Sequence, residues 1–356
     1  MQKKYSGKVT TWLFIGLVMI FIQVVVGGIT RLTESGLSIT KWEVVSGTIP
    51  PFTEDAWKNE FELYKNTPQF REINEGMDLD DFKFIYFWEY IHRFWARLMG
   101  LVFIIPFFIF LIKRQLDSKI LIKLSMVILL AVLAATFGWI MVASGLIERP
   151  WVNAYKLSIH LLIAFGVYTS LLWTYLFSKD VKIYTSDSVS LEKIKTILWV
   201  VFIILVVQIF FGGVMAGMKA AVIYPTWPDM RGTYLPDIIL DLSQWNFQNF
   251  NDYDKNYFMP AIIHFLHRNT AYLLFIAGSF LSYRLVNIKD KSNHYLLKKS
   301  GLFLFIVLVV QVLLGILTIV LSNGSVPVLW GVLHQAGALI LLTIIVFIFF
   351  ILRTKK

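Results

Sequence analysis

Four histidines occupy equivalent places inside hydrophobic segments, and their spacing is the first sign of chemistry in this chain. The chain contains 6 histidines, and most of them lie within long hydrophobic runs. Four of these lie about eight residues from the predicted outer end of a helix, which is roughly 12 Å deep at a rise of 1.5 Å per residue. They are His92, His160, His267 and His334.

Imidazole is the usual neutral axial ligand of haem iron, and two facing imidazoles form a low-spin centre that transfers electrons. Zinc would require a compact tetrahedral cluster with access for water. A proton relay through the membrane would not explain why the histidines pair by half. Histidines that only pack and hydrogen-bond between helices are the remaining alternative. The common depth favours two haem sites, each with two histidine ligands.

A carboxyl group distinguishes the two predicted sites. Glu89 precedes His92 by three residues, whereas His264 occupies the equivalent position in the second half. Spacing i, i+3 puts both members of a pair on one helical face, so we expect Glu89 to face the same cavity as His92. A charged side chain at bilayer depth costs roughly 2.5–3.5 kcal/mol, which favours a function for it. Glu89 is therefore a candidate general base or charge stabiliser, the alternative being an ion pair with Arg93 or Arg97.

Two arginines, Arg93 and Arg268, directly follow histidines of the quartet. A guanidinium group binds a carboxylate through two parallel hydrogen bonds. The pattern therefore predicts contacts to haem propionates, and a place at the outer membrane interface is the alternative. For His264 we expect packing or a propionate contact before a role as an accessory or switching ligand.

Composition indicates that these residues belong to a membrane protein. Of the 356 residues, 57% are hydrophobic and 16% are charged, whereas about 25% are charged in a typical soluble domain. Cysteine is absent, which excludes iron–sulfur clusters held by thiolates. The first apolar run begins without a cleavage site, so we expect an uncleaved first helix. Eight runs can cross a hydrocarbon layer of about 30 Å; they cover roughly 10–30, 84–112, 120–143, 153–177, 196–217, 258–286, 300–322 and 327–352.

The charge distribution predicts the orientation of the chain in the bilayer. The formal net charge is +10, and Lys and Arg are concentrated in alternate connections, whereas the long connection 31–83 is mainly acidic. This is the positive-inside pattern of a membrane protein and not a nucleic-acid-binding surface. Both termini are therefore predicted on the cytoplasmic side. The Gly-, Ser- and Pro-rich segment 27–51 is interpreted as an ordered outer lid.

The two halves of the sequence repeat each other. Each half has four predicted spans, so the second half enters the membrane in the same orientation as the first, which is a parallel repeat. We therefore predict an all-α integral membrane fold of eight transmembrane helices in two four-helix bundles, residues 1–180 and 181–356. The matching segments include QVVVGGIT (23–30) with QIFFGGVM (208–215), and EYIHRFWA (89–96) with HFLHRNTA (264–271).

At these residues the chain closely resembles the haem A synthase family, in its cysteine-free proteobacterial and mitochondrial subgroup. The resemblance covers nearly the whole chain. It departs from the family at His264, where many relatives carry glutamine, and at TWPDMRG (226–232), which matches only in part. The segments that carry it are GGITRLTESGLSITKW, EYIHRFWARLMG, GWIMVASGLIERP, YKLSIHL, HRNTAYL and LHQAGA.

The resemblance implies a reaction in which one ring methyl group of haem O is oxidised, through hydroxylated intermediates, to the formyl group of haem A for cytochrome oxidase. It implies a resident haem b on His267 and His334, substrate haem O on His92 and His160, and Glu89 as the catalytic carboxylate. It also implies a multi-pass protein of the bacterial inner (plasma) membrane that receives haem O from its farnesyltransferase, haem O synthase.

Two other functions are compatible with the histidine quartet. A dihaem b-type electron-transfer protein would use the same four ligands, but it gives no role to Glu89 or to the long outer connection. A haem transporter is disfavoured because paired axial ligands oppose release. The sequence does not identify the electron acceptor, it predicts no nucleic-acid partner, and it is compatible with a homo-oligomer in the lipid bilayer.

Overall fold

The computed structural model describes residues 5–41, 49–146, 149–179, 181, 189–288 and 295–353. Long helices occupy all eight ranges in which a span is predicted, and shorter ones lie in the two long connections. The central lid positions 42–48 lie outside the described residues. In chain order the helices are α1 (Gly7–Leu32), α2 (Glu54–Lys65), α3 (Pro68–Glu72), α4 (Leu79–Ile112), α5 (Ser118–Gly145), α6 (Ala154–Ser178), α7 (Val189–Gly217), α8 (Ala220–Ile223), α9 (Asp237–Leu240), α10 (Phe247–Asn251), α11 (Phe258–Val286), α12 (Tyr295–Val320) and α13 (Val328–Ile351).

Within these ranges, 7 helices are long and apolar enough to cross a membrane, namely α1, α4, α5, α6, α7, α12 and α13. The eighth long helix, α11, has 29 residues but is less apolar, because His264, His267, Arg268 and Asn269 lie in its sequence. Three of these residues, His264, His267 and Arg268, are candidates for the predicted haem site. The predicted class, an all-α multi-pass membrane protein, is confirmed.

Short polar side chains cap the first turns of several long helices, among them α4 and α5. Asp78 Oδ1 accepts hydrogen bonds from the amides of Asp80 and Asp81 at 2.9 Å, and these two carboxylates lie in the positive first turn of α4. Helix α4 therefore begins five residues before the predicted start of the span. Asp117 caps α5 through the amide of Ile120 at 2.9 Å and also accepts from Tyr5 Oη at 2.8 Å, which ties the start of α5 to the start of α1.

The long helices pack in the same order in both halves, with one exception. In the first half, α1 packs against α4 and α6, and α5 packs against α6. In the second half, α7 packs against α11 and α13, α12 packs against α13, and α11 packs against α12. Helices α4 and α5 are the pair equivalent to α11 and α12, but they make almost no contact with each other. Among the described residues, the first bundle is therefore open on one side and the second is closed.

The two halves meet where α1 and α7 end. Glu34 and Lys219 are equivalent in the predicted repeat; both have positive φ, 58° and 52°, and their side chains form an ion pair with each other. Arg31 donates to the carbonyl oxygens of Ala216 and Gly217 at 2.8 and 3.1 Å. Further along the interface α13 packs against α1 and α6, and α6 packs against α7. The contact therefore joins equivalent ends of the two halves.

Candidate functional site

His267 on α11 and His334 on α13 face each other across the second bundle. Their ring centroids are 6.4 Å apart and the ring planes are inclined by 79°. Two metal–imidazole nitrogen bonds of about 2.0–2.1 Å each account for about 4 Å of such a separation. The remainder corresponds to the distance from each ring centroid to its coordinating nitrogen, counted once for each ring. The pair therefore fits one iron held between two axial imidazoles, as in a low-spin haem.

Each histidine of the quartet lies against a glycine on the preceding long helix, which we call its glycine seat. A Cβ atom added to any of these glycines would lie only 2.9–3.1 Å from Cε1 of the ring. Glycine is therefore required by the close approach of the imidazole. The same arrangement occurs four times: His92 with Gly27, His160 with Gly138, His267 with Gly212, and His334 with Gly315.

Gly315→Val is expected to displace the His334 ring and to lower the content of axially ligated haem severalfold. The reason is steric, because even a Cβ atom there would lie 2.9 Å from the ring. The measurement is the ratio of b-type haem to purified protein. Gly100→Val is the matched control, because a Cβ atom at Gly100 meets nothing within 4 Å. Equal ratios in the two variants would mean that the glycine seat does not position the ligand.

The two histidines on the last helix of each half are oriented by backbone carbonyls. His160 Nδ1 lies 3.0 Å from the carbonyl oxygen of Ala134, and His334 Nδ1 lies 3.2 Å from that of Gln311. A neutral imidazole that donates from Nδ1 to a carbonyl presents its unprotonated Nε2 to a metal. Both rings are therefore held in the tautomer that an iron ligand needs.

The other two histidines are contacted by glutamine side chains. Gln23 Nε2 lies 3.2 Å from His92 Nδ1, and Gln208 Nε2 lies 3.3 Å from His267 Nε2. All four partners lie four residues before the glycine seat of the same ring. Three of these partners are glutamines, and their segments share the pattern Gln-x3-Gly. The sequence repeat already matches two of the segments, and the same pattern would have identified the third. The three segments are QVVVG (23–27), QIFFG (208–212) and QVLLG (311–315).

The first half contains the other two candidate ligands, His92 and His160, each against its glycine seat. They lie on α4 and α6, which correspond to α11 and α13. In the described ranges, no group of three or more His, Asp or Glu side chains is placed to share a metal ion. A donor set of two imidazoles per half suits haem better than tetrahedral zinc. Iron ligation itself stays a prediction.

Glu89 is buried, with 2% of its surface exposed, and it is bound by three donors. Its Oε2 atom accepts from Ser38 Oγ at 2.7 Å and from the amide of Ile39 at 2.8 Å. Its Oε1 atom accepts from Arg93 at 2.6 Å. The ion pair considered as an alternative is therefore present, and it fixes the carboxylate beneath the turn that follows α1. Ser38 and Ile39 had no signal in the sequence, because they lie about fifty residues from Glu89.

The two arginines fasten outer segments to the bundle. Besides binding Glu89, Arg93 donates to the carbonyl oxygen of Ile39 at 3.3 Å. Arg268 donates to the carbonyl oxygens of Pro228 and Tyr234, both at 2.6 Å. Arg268 is 3% exposed, and none of the ion pairs of the described residues includes it. Contacts to haem propionates stay a prediction for both.

His264 differs from Glu89, its counterpart in the first half, in having no hydrogen-bond partner within the described chain. It is fully buried, and both ring nitrogens lack a partner there. Its ring packs against Tyr224 at a tilt of 64°, with centroids 6.2 Å apart. The first half thus has a carboxylate held by three donors where the second half has a packed ring without a hydrogen-bond partner among the described residues.

Helices α2 and α3 form an outer cap over the beginning of α4. Phe61 stacks on Phe82 with ring centroids 5.0 Å apart, and Tyr64 donates to Gln69 Oε1 at 3.1 Å. Burial raises the pKa of Tyr64 to about 12, so its phenol stays neutral. Gln69 in turn donates to the carbonyl oxygen of Glu34 at 2.9 Å. The cap therefore holds the turn that covers Glu89.

Comparison with known proteins agrees with this architecture. A family model described as cytochrome oxidase assembly protein matches residues 10–346. The chain is 41% identical over 346 residues to a heme A synthase of Flavobacterium psychrophilum, covering 95% of this chain and 96% of that protein. It is 37% identical to a heme A synthase of Sinorhizobium fredii, covering 93% and 86%, and 35% identical to one of Rickettsia felis, covering 98% of each. The chain therefore belongs to the haem A synthase family of cytochrome oxidase assembly proteins.

Proposed function

We propose that the chain is a haem A synthase, an oxidoreductase that converts a ring methyl group of haem O, through hydroxylated intermediates, to the formyl group of haem A for cytochrome oxidase. The observation that carries the proposal is the presence of one histidine pair in each half. Among the residues that the structure describes, only the first pair has a buried carboxylate, Glu89, one helical turn away. Similarity to heme A synthases over nearly the full length supports the same reaction.

In this function His267 and His334 hold a resident haem b, and His92 and His160 bind the iron of the substrate haem O. The 6.4 Å separation of the second pair and the glycine seat beneath each ring support these assignments. A bound haem b supplies one-electron redox chemistry. The four imidazoles orient the two porphyrins, and the substrate is the one that lies in the half that contains Glu89.

Glu89 acts on the substrate as a charge stabiliser. Conversion of a methyl group and water to a hydroxymethyl group releases two electrons and two protons, and conversion of that group to a formyl group releases two more of each. Positive charge develops at the reacting carbon during oxidation, and a fixed carboxylate in a water-poor site stabilises it. Arg93, Ser38 and the Ile39 amide hold the Glu89 carboxyl group in a fixed orientation. The electrons pass to an acceptor outside the chain.

We further propose that all eight long helices, α11 included, cross the bacterial inner membrane with both termini on the cytoplasmic side. Residues 1–180 and 181–356 form two bundles related by a parallel repeat. The equivalent packing pairs and the shared positive φ of Glu34 and Lys219 support the repeat. Haem O arrives from haem O synthase, a farnesyltransferase, and a homo-oligomer is compatible with this arrangement.

Pigment extraction tests the proposed function directly. Protein purified from a host that also contains haem O synthase is expected to release haem B together with haem O or haem A, resolved by reversed-phase chromatography and mass spectrometry. The host without haem O synthase is the control and should give haem B alone. Haem B alone from both hosts would reject the synthase and favour the dihaem electron-transfer protein.

A further inference from the structure

The second bundle is closed by close contacts between α11 and α12. A Cβ atom on Gly278 would lie 2.6 Å from Leu308 Cδ1, so the two helices approach closely there. Ser282 Oγ donates to the carbonyl oxygen of Gly301 at 2.6 Å. The rings of Phe275 and Phe305 also meet, with centroids 6.4 Å apart. Small residues and one aromatic pair therefore fasten this side of the bundle.

The equivalent positions in the first half lack these contacts. Gly100 and Phe103 follow His92 at the same distances in sequence as Phe275 and Gly278 follow His267, so they are the equivalent positions. In the same way, Ile128 and Ala131 precede Gly138 at the same distances as Phe305 and Leu308 precede Gly315. Ala131 is exposed whereas Leu308 is buried, and a Cβ atom on Gly100 would meet nothing within 4 Å. The α4–α5 side is therefore open because small residues stand where the second half has large ones, and a large residue stands where the second half has glycine.

Helix α4 is fastened on its other side, to α1. Trp12 Nε1 donates to the carbonyl oxygen of Val102 at 3.2 Å, and Trp95 Nε1 donates to that of Met19 at 2.9 Å. The ring of Phe103 packs on that of Trp12 with centroids 4.9 Å apart. These bonds hold α4 in position without the help of α5. The side of α4 that faces α5 is therefore open although α4 itself is firmly held.

The opening has largely apolar walls, and both walls belong to the first histidine site. Its walls are α4, which carries His92, and α5, which carries the glycine seat of His160. Most exposed side chains within the apolar stretches of the two helices are hydrophobic, among them Leu101 at 57% and Leu129 at 54% exposure. From outside the membrane, by contrast, this half is covered by the α2–α3 cap and by the turn fastened to Glu89. The side that faces the bilayer is therefore the one at which the described helices make the fewest contacts.

We propose that the space between α4 and α5 is a lateral opening through which haem O enters from the bilayer and haem A leaves, the farnesyl chain lying between the two helices. This rests on the proposed function. A farnesyl chain partitions into hydrocarbon, so a route with apolar walls avoids exposing it to water. Resident haem b lacks that chain, and its half is closed at the equivalent side.

A reversible bridge across the opening tests this proposal. The natural chain has no cysteine, so Gly100→Cys with Ile128→Cys provides the only two thiols. The purified protein, bridged with a bifunctional methanethiosulfonate reagent, is mixed with haem O in detergent, and the uptake rate is followed by absorbance. We expect uptake at least tenfold slower in the bridged protein, with its haem b spectrum unchanged and the rate restored by a reducing agent.

Equal uptake with and without the bridge would overturn the lateral opening, because haem O would then enter elsewhere. A protein that keeps its haem b after the bridge has been removed, but takes up no haem O at all, would reject the substrate assignment. The lateral opening would then be rejected as well. Gly100→Phe with Ile128→Phe gives a second reading without a reagent, since it copies the aromatic pair that closes α11 and α12. It should slow uptake of haem O and leave haem b in place, and normal uptake would count against the proposal.

Discussion

Glu89→Gln is expected to leave both haems bound and to lower the formation of haem A about 100-fold, the loss typical when one charge-stabilising group is removed. Glutamine keeps the size of the side chain but has no negative charge to stabilise the reacting carbon. It also leaves Arg93 buried without its carboxylate partner. The measurement is the ratio of haem A to haem O extracted from cells that express the variant.

Asp81→Asn is the matched control, because Asp81 is an exposed carboxylate in the first turn of the same helix. It should give the haem A content of the unchanged protein. Haem b absorbance separates a chemical defect from misfolding, since a misfolded variant would lose both pigments. A normal ratio of haem A to haem O in Glu89→Gln would remove Glu89 from the mechanism.

His334→Ala should abolish the low-spin b-type spectrum of the second half. The ring faces His267 at 6.4 Å between centroids, and its loss leaves iron with a single axial protein ligand. The reduced-minus-oxidised absorbance spectrum and electron paramagnetic resonance of the oxidised protein report this change. We expect loss of most of the bound haem b.

His264→Gln provides the comparison for that variant. His264 is fully buried and lies on the same helix as His267, but its ring packs against Tyr224. Haem b should therefore stay bound with an unchanged low-spin signal. Loss of haem b in His264→Gln together with its retention in His334→Ala would reverse the assignment of the ligand and require His264 to bind iron.

The positions of the long helices could be predicted because bilayer thickness fixes the length of an apolar run. The start of α4 could not, because its first turn is polar and lies before the apolar run. That turn forms because Asp78 caps it and two more carboxylates interact with the helix dipole. Hydropathy marks where hydrocarbon begins, whereas capping decides where a helix begins.

The histidine pairs could be proposed because the predicted repeat gives each pair nearly the same spacing, 68 residues from His92 to His160 and 67 residues from His267 to His334. The bonds of Glu89 could not, because they come from Ser38 and Ile39, which only the folded turn brings near. Its contact with Arg93, at spacing i, i+4, could be considered in advance. The open side of the first bundle also had no signal in a single helix, since it depends on residue sizes at Gly100 and Ala131 compared with their counterparts.

The ion pair between Glu34 and Lys219 bears on how such a duplicated chain avoids mispairing. In the proposed repeat these two positions are equivalent, so they would be identical in any dimer made of two first halves or of two second halves. Such dimers would place two glutamates or two lysines against each other, and like charges in contact repel. Opposite charges at one repeated position therefore favour the association of unlike halves, and a separately expressed first half should bind the second half rather than itself.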